Sequence, residues 1–373
     1  MTSDSISSKT ISILRFPLTV GVVFIHFTMT NGFNYHGDVY GLDNPPFFFF
    51  VVNLFSEVIA RVCVPLFFVI SGFLFFYNCN LNREAYFKKL RSRVKTLLLP
   101  FVMWNIIAAM VILGKSVLPF YPNVTILFSF NRLFNTFFYN IDGNGIIVGP
   151  SFLVPSVASP LDIPLWFVRD LMMMVLLAPV HYWFIKATRG AYIITLGLLW
   201  FFSPFFFLPS SYIGLLIMAS FFFSLGGFFG IRKIDLVISF RNYKFAPFLY
   251  LIVIIGDALT KNYEYNDYIH KIGIVLGIIS FVLIASFLLE YSKVNLSGTL
   301  CGSSFFVFSL HTLFMGDLGK IVFRLFRFPG DNPWIMLMIY FTVPLLTVFI
   351  CYFLSILLKT YMPRLFALLV GNR

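Results

Sequence analysis

Long apolar runs separated by short polar breaks organise the whole chain. Runs long and apolar enough to cross a hydrocarbon core of about 30 Å lie at residues 11–31, 47–76 and 96–113. A fourth opens at Pro164, and others follow at 191–208, 212–231, 245–260, 272–290, 304–323 and 334–358. The pattern predicts about ten transmembrane helices. Residues 114–164 form the longest piece that does not span. In its middle, VTILFSFNRLFNTFFYN, helical spacing gathers Ile126, Leu127, Phe130, Leu133, Phe134, Phe137 and Phe138 on one face. Asn131, Arg132, Asn135 and Thr136 fall opposite, so the segment predicts an amphipathic helix at an interface or folded over the bundle. The stretch behind it, DGNGIIVGPSFLVPSVASPLDIP, is rich in Gly and Pro and reads as irregular. A long loop of this kind often serves as a lid or an acceptor platform.

The polar breaks carry their charge unevenly. REAYFKKLRSRVK sets Arg83, Lys88, Lys89, Arg91, Arg93 and Lys95 against Glu84 alone and reads as a basic loop. Lys186 and Arg189, then Arg232, Lys233, Arg241 and Lys244, and finally Lys359 and Arg364 fall on the same side of the alternating spans. The positive-inside bias makes that side cytoplasmic, with both termini, and turns 114–164 outward. The basic stretch Lys320 to Arg327 runs against the bias. With 59% hydrophobic and 11% charged residues, against roughly a quarter charged in soluble proteins, the chain reads as one all-α, multi-pass membrane domain over residues 1–373. Its net charge of +12 is spent at helix ends and at lipid headgroups, so nucleic acid is not an expected partner. Cys63, Cys79, Cys301 and Cys351 are scattered, without the spacing of a disulfide framework or a metal site. The first run contains Arg15 and lacks a small-x-small cleavage site, so it reads as an uncleaved span.

Ionisable residues within the apolar runs are the candidates for chemistry, since charge at membrane depth is costly and normally faces a bundle interior, water or a partner. Arg15 and His26 are eleven positions apart. On a helix that separation is roughly 16 Å along the axis and close to three turns, which puts both side chains on one face. This predicts a permanent cation near one membrane surface and a titratable imidazole deep inside; the alternative is a snorkelling arginine and a structural histidine. Glu57 and Arg61 have i,i+4 spacing and predict a structural ion pair. Ser71 and Gly72 make a small polar notch, suited to close helix packing or to admitting a substrate chain. Arg169 and Asp170 are adjacent, leave different helix faces, and are expected to find partners across the bundle instead of each other. His311 is a second intramembrane imidazole.

Taken together, these pieces resemble the integral-membrane acyltransferase family three. The resemblance rests on Arg15 and His26 with ten residues between them, on VPLFFVISGFLFF with its Ser-Gly pair, and on FKKLRSRVKTLLLPFVMW. PLWFVRDL and FFVFSLHTLF match weaker features, and the match runs in order over nearly the whole chain. Without a C-terminal hydrolase-like domain, the chain is similar to the stand-alone branch. The resemblance implies transfer of an acyl group, acetyl or succinyl, from a cytoplasmic coenzyme A thioester to a hydroxyl of a surface glycan or lipid-linked sugar. No tightly bound cofactor is implied; acyl-CoA, acetyl-CoA foremost, is a donor substrate. His26 would be the base or a transient acyl carrier. Arg15, with Lys88, Lys89, Arg91 and Arg93, would hold the donor phosphates, and Ser71, Arg169, Asp170 and His311 would line the substrate path. The expected location is the plasma membrane. A secondary transporter or polysaccharide exporter, using the intramembrane charges as a proton or substrate path, is the competing expectation.

Overall fold

A computed structural model describes residues 3–35, 38–77, 80–116, 125–126, 146–147, 160–203, 212–291, 298–326 and 332–371. The described chain is helical apart from two short antiparallel strand pairs. Six helices are long and apolar enough to cross a membrane: within α1 (Ser3–Ile25), α2 (Pro46–Phe76), α3 (Arg83–Lys115), α7 (Tyr212–Ile231), α10 (Asn266–Tyr291) and α13 (Pro333–Tyr361). Three further candidates are pairs of helices broken by sharp bends. They are Ile163–Leu176 with α5 (Ala178–Ala187) at 59°, Leu236–Tyr243 with α9 (Ala246–Leu259) at 74°, and α11 (Gly298–Leu310) with Thr312–Leu325 at 79°. With each pair taken as one span, nine spans stand among the described residues, and α6 (Ala191–Phe201) is a shorter apolar helix at the remaining expected position. The polytopic helical bundle read from the apolar runs is the observed fold class.

Helix ends differ from the apolar runs that predicted them. The first helix starts at Ser3, eight residues before its run, because backbone hydrogen bonding needs no apolar side chains. It stops at Ile25, short of Asn31, where Thr28, Thr30 and Gly32 (φ 74°) lead into a hairpin of β1 (Phe33–Tyr35) and β2 (Asp38–Tyr40). The basic segment expected as a loop is instead the first three turns of α3, capped where Asn82 Oδ1 accepts from the Ala85 amide at 2.8 Å. Ile126, assigned by spacing to the amphipathic helix, lies in a two-residue strand paired with Ile146–Ile147. Residues 127–138 of that expected helix lie outside the described residues.

The chain divides into two compact units. The first comprises Met1–Thr28, Pro46–Leu90 and Met173–Ser304. Its centre is the contact of α2 with α7, made through glycines. A Cβ on Gly72 would overlap the Phe223 carbonyl, one on Gly226 would overlap that of Val69, and one on Gly230 would come within 2.7 Å of the Phe73 carbonyl oxygen. Backbones meet here directly, the arrangement small residues permit between membrane helices. Helix α1 packs on α2 and α10. Its first turns are fixed by Ser7, whose hydroxyl donates to Asp235 Oδ2 at 2.6 Å, while Asp235 Oδ1 caps the next helix through the Ile238 amide.

The second unit comprises Met29–Pro45, Arg91–Met172 and Phe305–Arg373. The hairpin rings Phe33, Tyr35 and Tyr40 gather around Phe323 at 4.9–5.2 Å. The chain ends in α14 (Pro363–Val370), held to α3 by Trp104, whose indole donates to the Leu369 carbonyl at 3.0 Å. Gly371 (φ 72°) closes that helix in a left-handed conformation, and a Cβ there would lie 2.6 Å from the Thr96 carbonyl oxygen.

Candidate functional site

The first helix carries the two residues around which the sequence reading turned. Pro17 lies between them; it has no amide hydrogen, so the Ile13 carbonyl loses its i→i−4 partner. Thr19 Oγ1 donates back to the Arg15 carbonyl at 3.0 Å. Arg15 is exposed and His26 half-buried. The helix closes in a tight turn, with the His26 amide on the Val23 carbonyl at 3.2 Å and the Phe27 amide on the Phe24 carbonyl at 3.3 Å. Ser56 of α2, wholly buried, donates its hydroxyl to that same Phe24 carbonyl at 2.7 Å.

These bounds revise the expected placement. The apolar part of the helix runs Ile6–Ile25, so Arg15 sits near its middle and His26 just past its end. Ser56 lies ten residues into α2, about 15 Å along the helix from its Pro46 end, so the last turn of α1 meets α2 well inside that helix. Roughly 15 Å of helix separates Arg15 from Ile25.

Around Ser56 the second span is locally rewound. Asn53–Ile59 forms a π-helical turn and Ala60–Val62 a 3₁₀ turn before α-geometry resumes at Cys63. Single π turns inside helices often sit at functional sites. Glu57 and Arg61 pair as their spacing predicts, Oε2 accepting from Nε at 3.1 Å and Nη2 at 2.7 Å. Ser71 is half-buried, and the space beside Gly72 is filled by the backbone of α7. On α3, Lys89 donates to the Phe75 carbonyl and lies 4.9 Å over the Phe75 ring, so it caps the end of α2. Lys88 and Arg91 are exposed and Arg93 is half-buried.

In the second unit, Arg169 and Asp170 bond directly, Nε to Oδ1 at 2.8 Å, with 2% and 0% of the side chains exposed. This overturns the expectation that adjacent residues would part. A three-carbon stem lets the guanidinium fold back, and in a buried setting the nearest counter-charge is the one that removes the largest desolvation cost. His311 is fully buried at the break between α11 and α12 (Thr312–Phe326), its Nδ1 3.2 Å from the Val307 carbonyl oxygen. The next residue, Thr312, donates to Asp162 Oδ1 at 3.2 Å. The Asp162 amide in turn donates to Asn105 Oδ1 at 3.2 Å. Burial holds the Asp162 carboxyl well above the usual carboxylate range, and the Thr312 bond only partly opposes that. Asp162 Oδ2 has no hydrogen-bond partner among the described residues.

Sequence reasoning missed Asn105 and Asp162, along with two clusters in the first unit. His181 Nδ1 lies 2.9 Å from the Tyr192 hydroxyl and 3.1 Å from that of Ser224. Asp257 gathers His270 at 2.8 Å, Lys261 at 2.9 Å and the Asn266 amide at 2.8 Å, stapling the α9–α10 turn. The available signal was a lone polar residue inside an apolar run, which applies to Asn105, His181 and Asp257 alike.

Residues 9–356 match a protein-family profile, the third acyltransferase family, described as "Acyltransferase domain". The chain belongs to this acyltransferase family. The chain is also similar to the succinoglycan biosynthesis protein ExoH of Rhizobium meliloti (strain 1021), 27% identical over 184 residues. That stretch covers 48% of this chain and 43% of ExoH, so less than half of either protein is compared. No solved structure matches the chain. Membership in an acyltransferase family favours the acyl-transfer expectation over the transporter or exporter one, and the membrane-length helices fit a multi-pass membrane protein.

Proposed function

We propose that this acyltransferase moves an acyl group, acetyl or succinyl, from cytoplasmic acyl-CoA to a hydroxyl of a surface glycan or lipid-linked sugar. The observation that carries the reading is the placement of His26 at the closed end of α1, beside the interior of α2, with Arg15 on the same helix. In this scheme His26 takes the proton of the acceptor hydroxyl as its oxygen attacks the thioester carbonyl. The carbon–sulfur bond then breaks, and coenzyme A leaves as the thiol with the proton returned from the imidazolium. Arg15 grips donor phosphate with its planar fork, and an extended pantetheine arm is of the right order to bridge the roughly 15 Å of helix between the two residues. Exposed Lys88 adds positive potential, whereas Lys89, engaged with Phe75, has a capping task.

The likeness to a protein of succinoglycan biosynthesis supports a polysaccharide acceptor. The cation bias of the short loops supports a plasma-membrane orientation with both termini cytoplasmic. The test is release of coenzyme A from acetyl-CoA and succinyl-CoA by the detergent-purified full chain, alongside mass spectrometry of surface glycans from cells expressing wild type or His26→Ala. His26→Ala is expected to abolish both thioester turnover and glycan acylation while still binding acetyl-CoA; Arg15→Ala is expected to weaken that binding. Near-normal turnover by His26→Ala overturns the proposed role of the imidazole.

A further inference from the structure

We propose that Ser56 is a positioning residue for His26: its hydroxyl holds the last turn of α1 and thereby sets where the imidazole stands. The inference rests on the role given to His26 above. The last four carbonyls of a helix have no partner within it, and Phe24 supplies one of them. It accepts locally from the Phe27 amide at 3.3 Å, at the long end of hydrogen-bond distances. The bond at 2.7 Å comes from Ser56, on another helix and 0% exposed. His26 follows Phe24 by two residues, so the carbonyl that Ser56 grips belongs to the turn from which the imidazole leaves.

Two features show that this grip is built into the fold. Ser56 lies inside the π-helical turn Asn53–Ile59, where the Ala60 amide reaches back five residues to the Phe55 carbonyl. That wide turn alters the azimuth of every residue after it relative to an α-helix. Below this point the same two helices touch again, where a Cβ on Gly21 would overlap Cys63 Sγ. Gly21 and Phe24 on α1 thus meet Cys63 and Ser56 on α2 in antiparallel order. One contact limits how closely the helices approach and the other fixes height and rotation, so the end of α1 has little freedom to tilt or slide.

A base displaced by about 1 Å can lose on the order of a hundredfold in rate. Ser56→Ala removes the bond and leaves Arg15, three turns away, untouched. The assay is coenzyme A release from acetyl-CoA with water as acceptor, by the full chain in detergent, with kcat and KM determined separately. Expected for Ser56→Ala is a kcat loss of about ten- to a hundredfold, KM for acetyl-CoA within about twofold of wild type, and recovery of most of kcat by Ser56→Thr, which restores the donor. Ser280→Ala is the control: it removes an equally buried hydroxyl that bonds only its own helix, at the Leu276 carbonyl, and should leave kcat unchanged. Should Ser56→Ala not purify as a monodisperse species, Ser56→Cys, with a weak donor of similar size, is read by the same criteria. Wild-type kcat in Ser56→Ala with His26→Ala inactive overturns the positioning role and leaves the His26 reading standing. Activity in His26→Ala overturns both. A parallel fall in kcat, donor affinity and unfolding temperature that Ser56→Thr does not reverse assigns Ser56 a structural role only and overturns the inference.

Discussion

Replacing Gly226 by alanine tests the claim that α2 and α7 meet backbone to backbone. The added Cβ would overlap the Val69 carbonyl and approach the Phe73 amide nitrogen to 2.9 Å. Neither atom is the far end of a flexible side chain, so relief requires the helices to part by about 1 Å. A gap of that size forfeits a quarter to a half of each dispersion well along the contact, and the same contact also carries Gly72 and Gly230. Against this stands the helix preference for alanine over glycine, about 1 kcal/mol. The two together leave a net loss of about 1–3 kcal/mol, in the range of other overpacked sites. Gly256, inside α9, has no atom within 4 Å of its Cβ position and supplies the opposite case. Gly256→Ala should gain up to about 1 kcal/mol. Reversible unfolding in detergent, followed by intrinsic fluorescence, gives both values on one scale. A Gly226→Ala protein as stable as wild type, or a Gly256→Ala protein destabilised as much, would refute the packing argument.

Two further outcomes follow from buried charge. Asp170→Asn removes the carboxylate that the Arg169 guanidinium now bonds and should cost about 3–5 kcal/mol, while Arg169→Met with Asp170→Leu should recover much of it; equal losses in the single and double variants would count against the pair. For Asp162, burial raises the folded pKa, so its contribution to stability is complete below the ordinary carboxylate range and is lost as pH rises through the raised value. Wild type should therefore lose stability relative to Asp162→Asn on going from acidic to neutral pH, and a difference independent of pH in unfolding temperature would contradict that.

What the sequence made legible is what a bilayer selects for. Apolar length is a property of one segment, so helices appear at all the expected runs, with α6 shorter than its run. Local spacing likewise sufficed for Glu57 and Arg61. Ends and bends were less visible. Helix α1 continues through polar Ser3 to Lys9, and α3 begins among its arginines and lysines, because helical hydrogen bonds do not depend on apolarity. The break at His311 lies inside one continuous apolar run. Partners set by tertiary packing were out of reach: Ser7 bonds Asp235 from 228 positions away, and Ser56 is one polar atom in an apolar segment until Phe24 is placed beside it. The Arg169–Asp170 pair was misjudged for another reason. Helical azimuth describes where a side chain starts, and a long flexible arginine does not end there.

The mismatch in length between α1 and α2 has a consequence for the backbone at the end of α1. A helix that ends beside the interior of its neighbour hands the chain over to turns at a level where hydrocarbon would charge several kcal/mol for each unpaired backbone group. Such backbone is tolerated only where protein encloses it or water reaches it. Helix α2, whose 31 residues correspond to roughly 46 Å of helix, encloses the end of α1 in this way through Ser56, which bonds the Phe24 carbonyl.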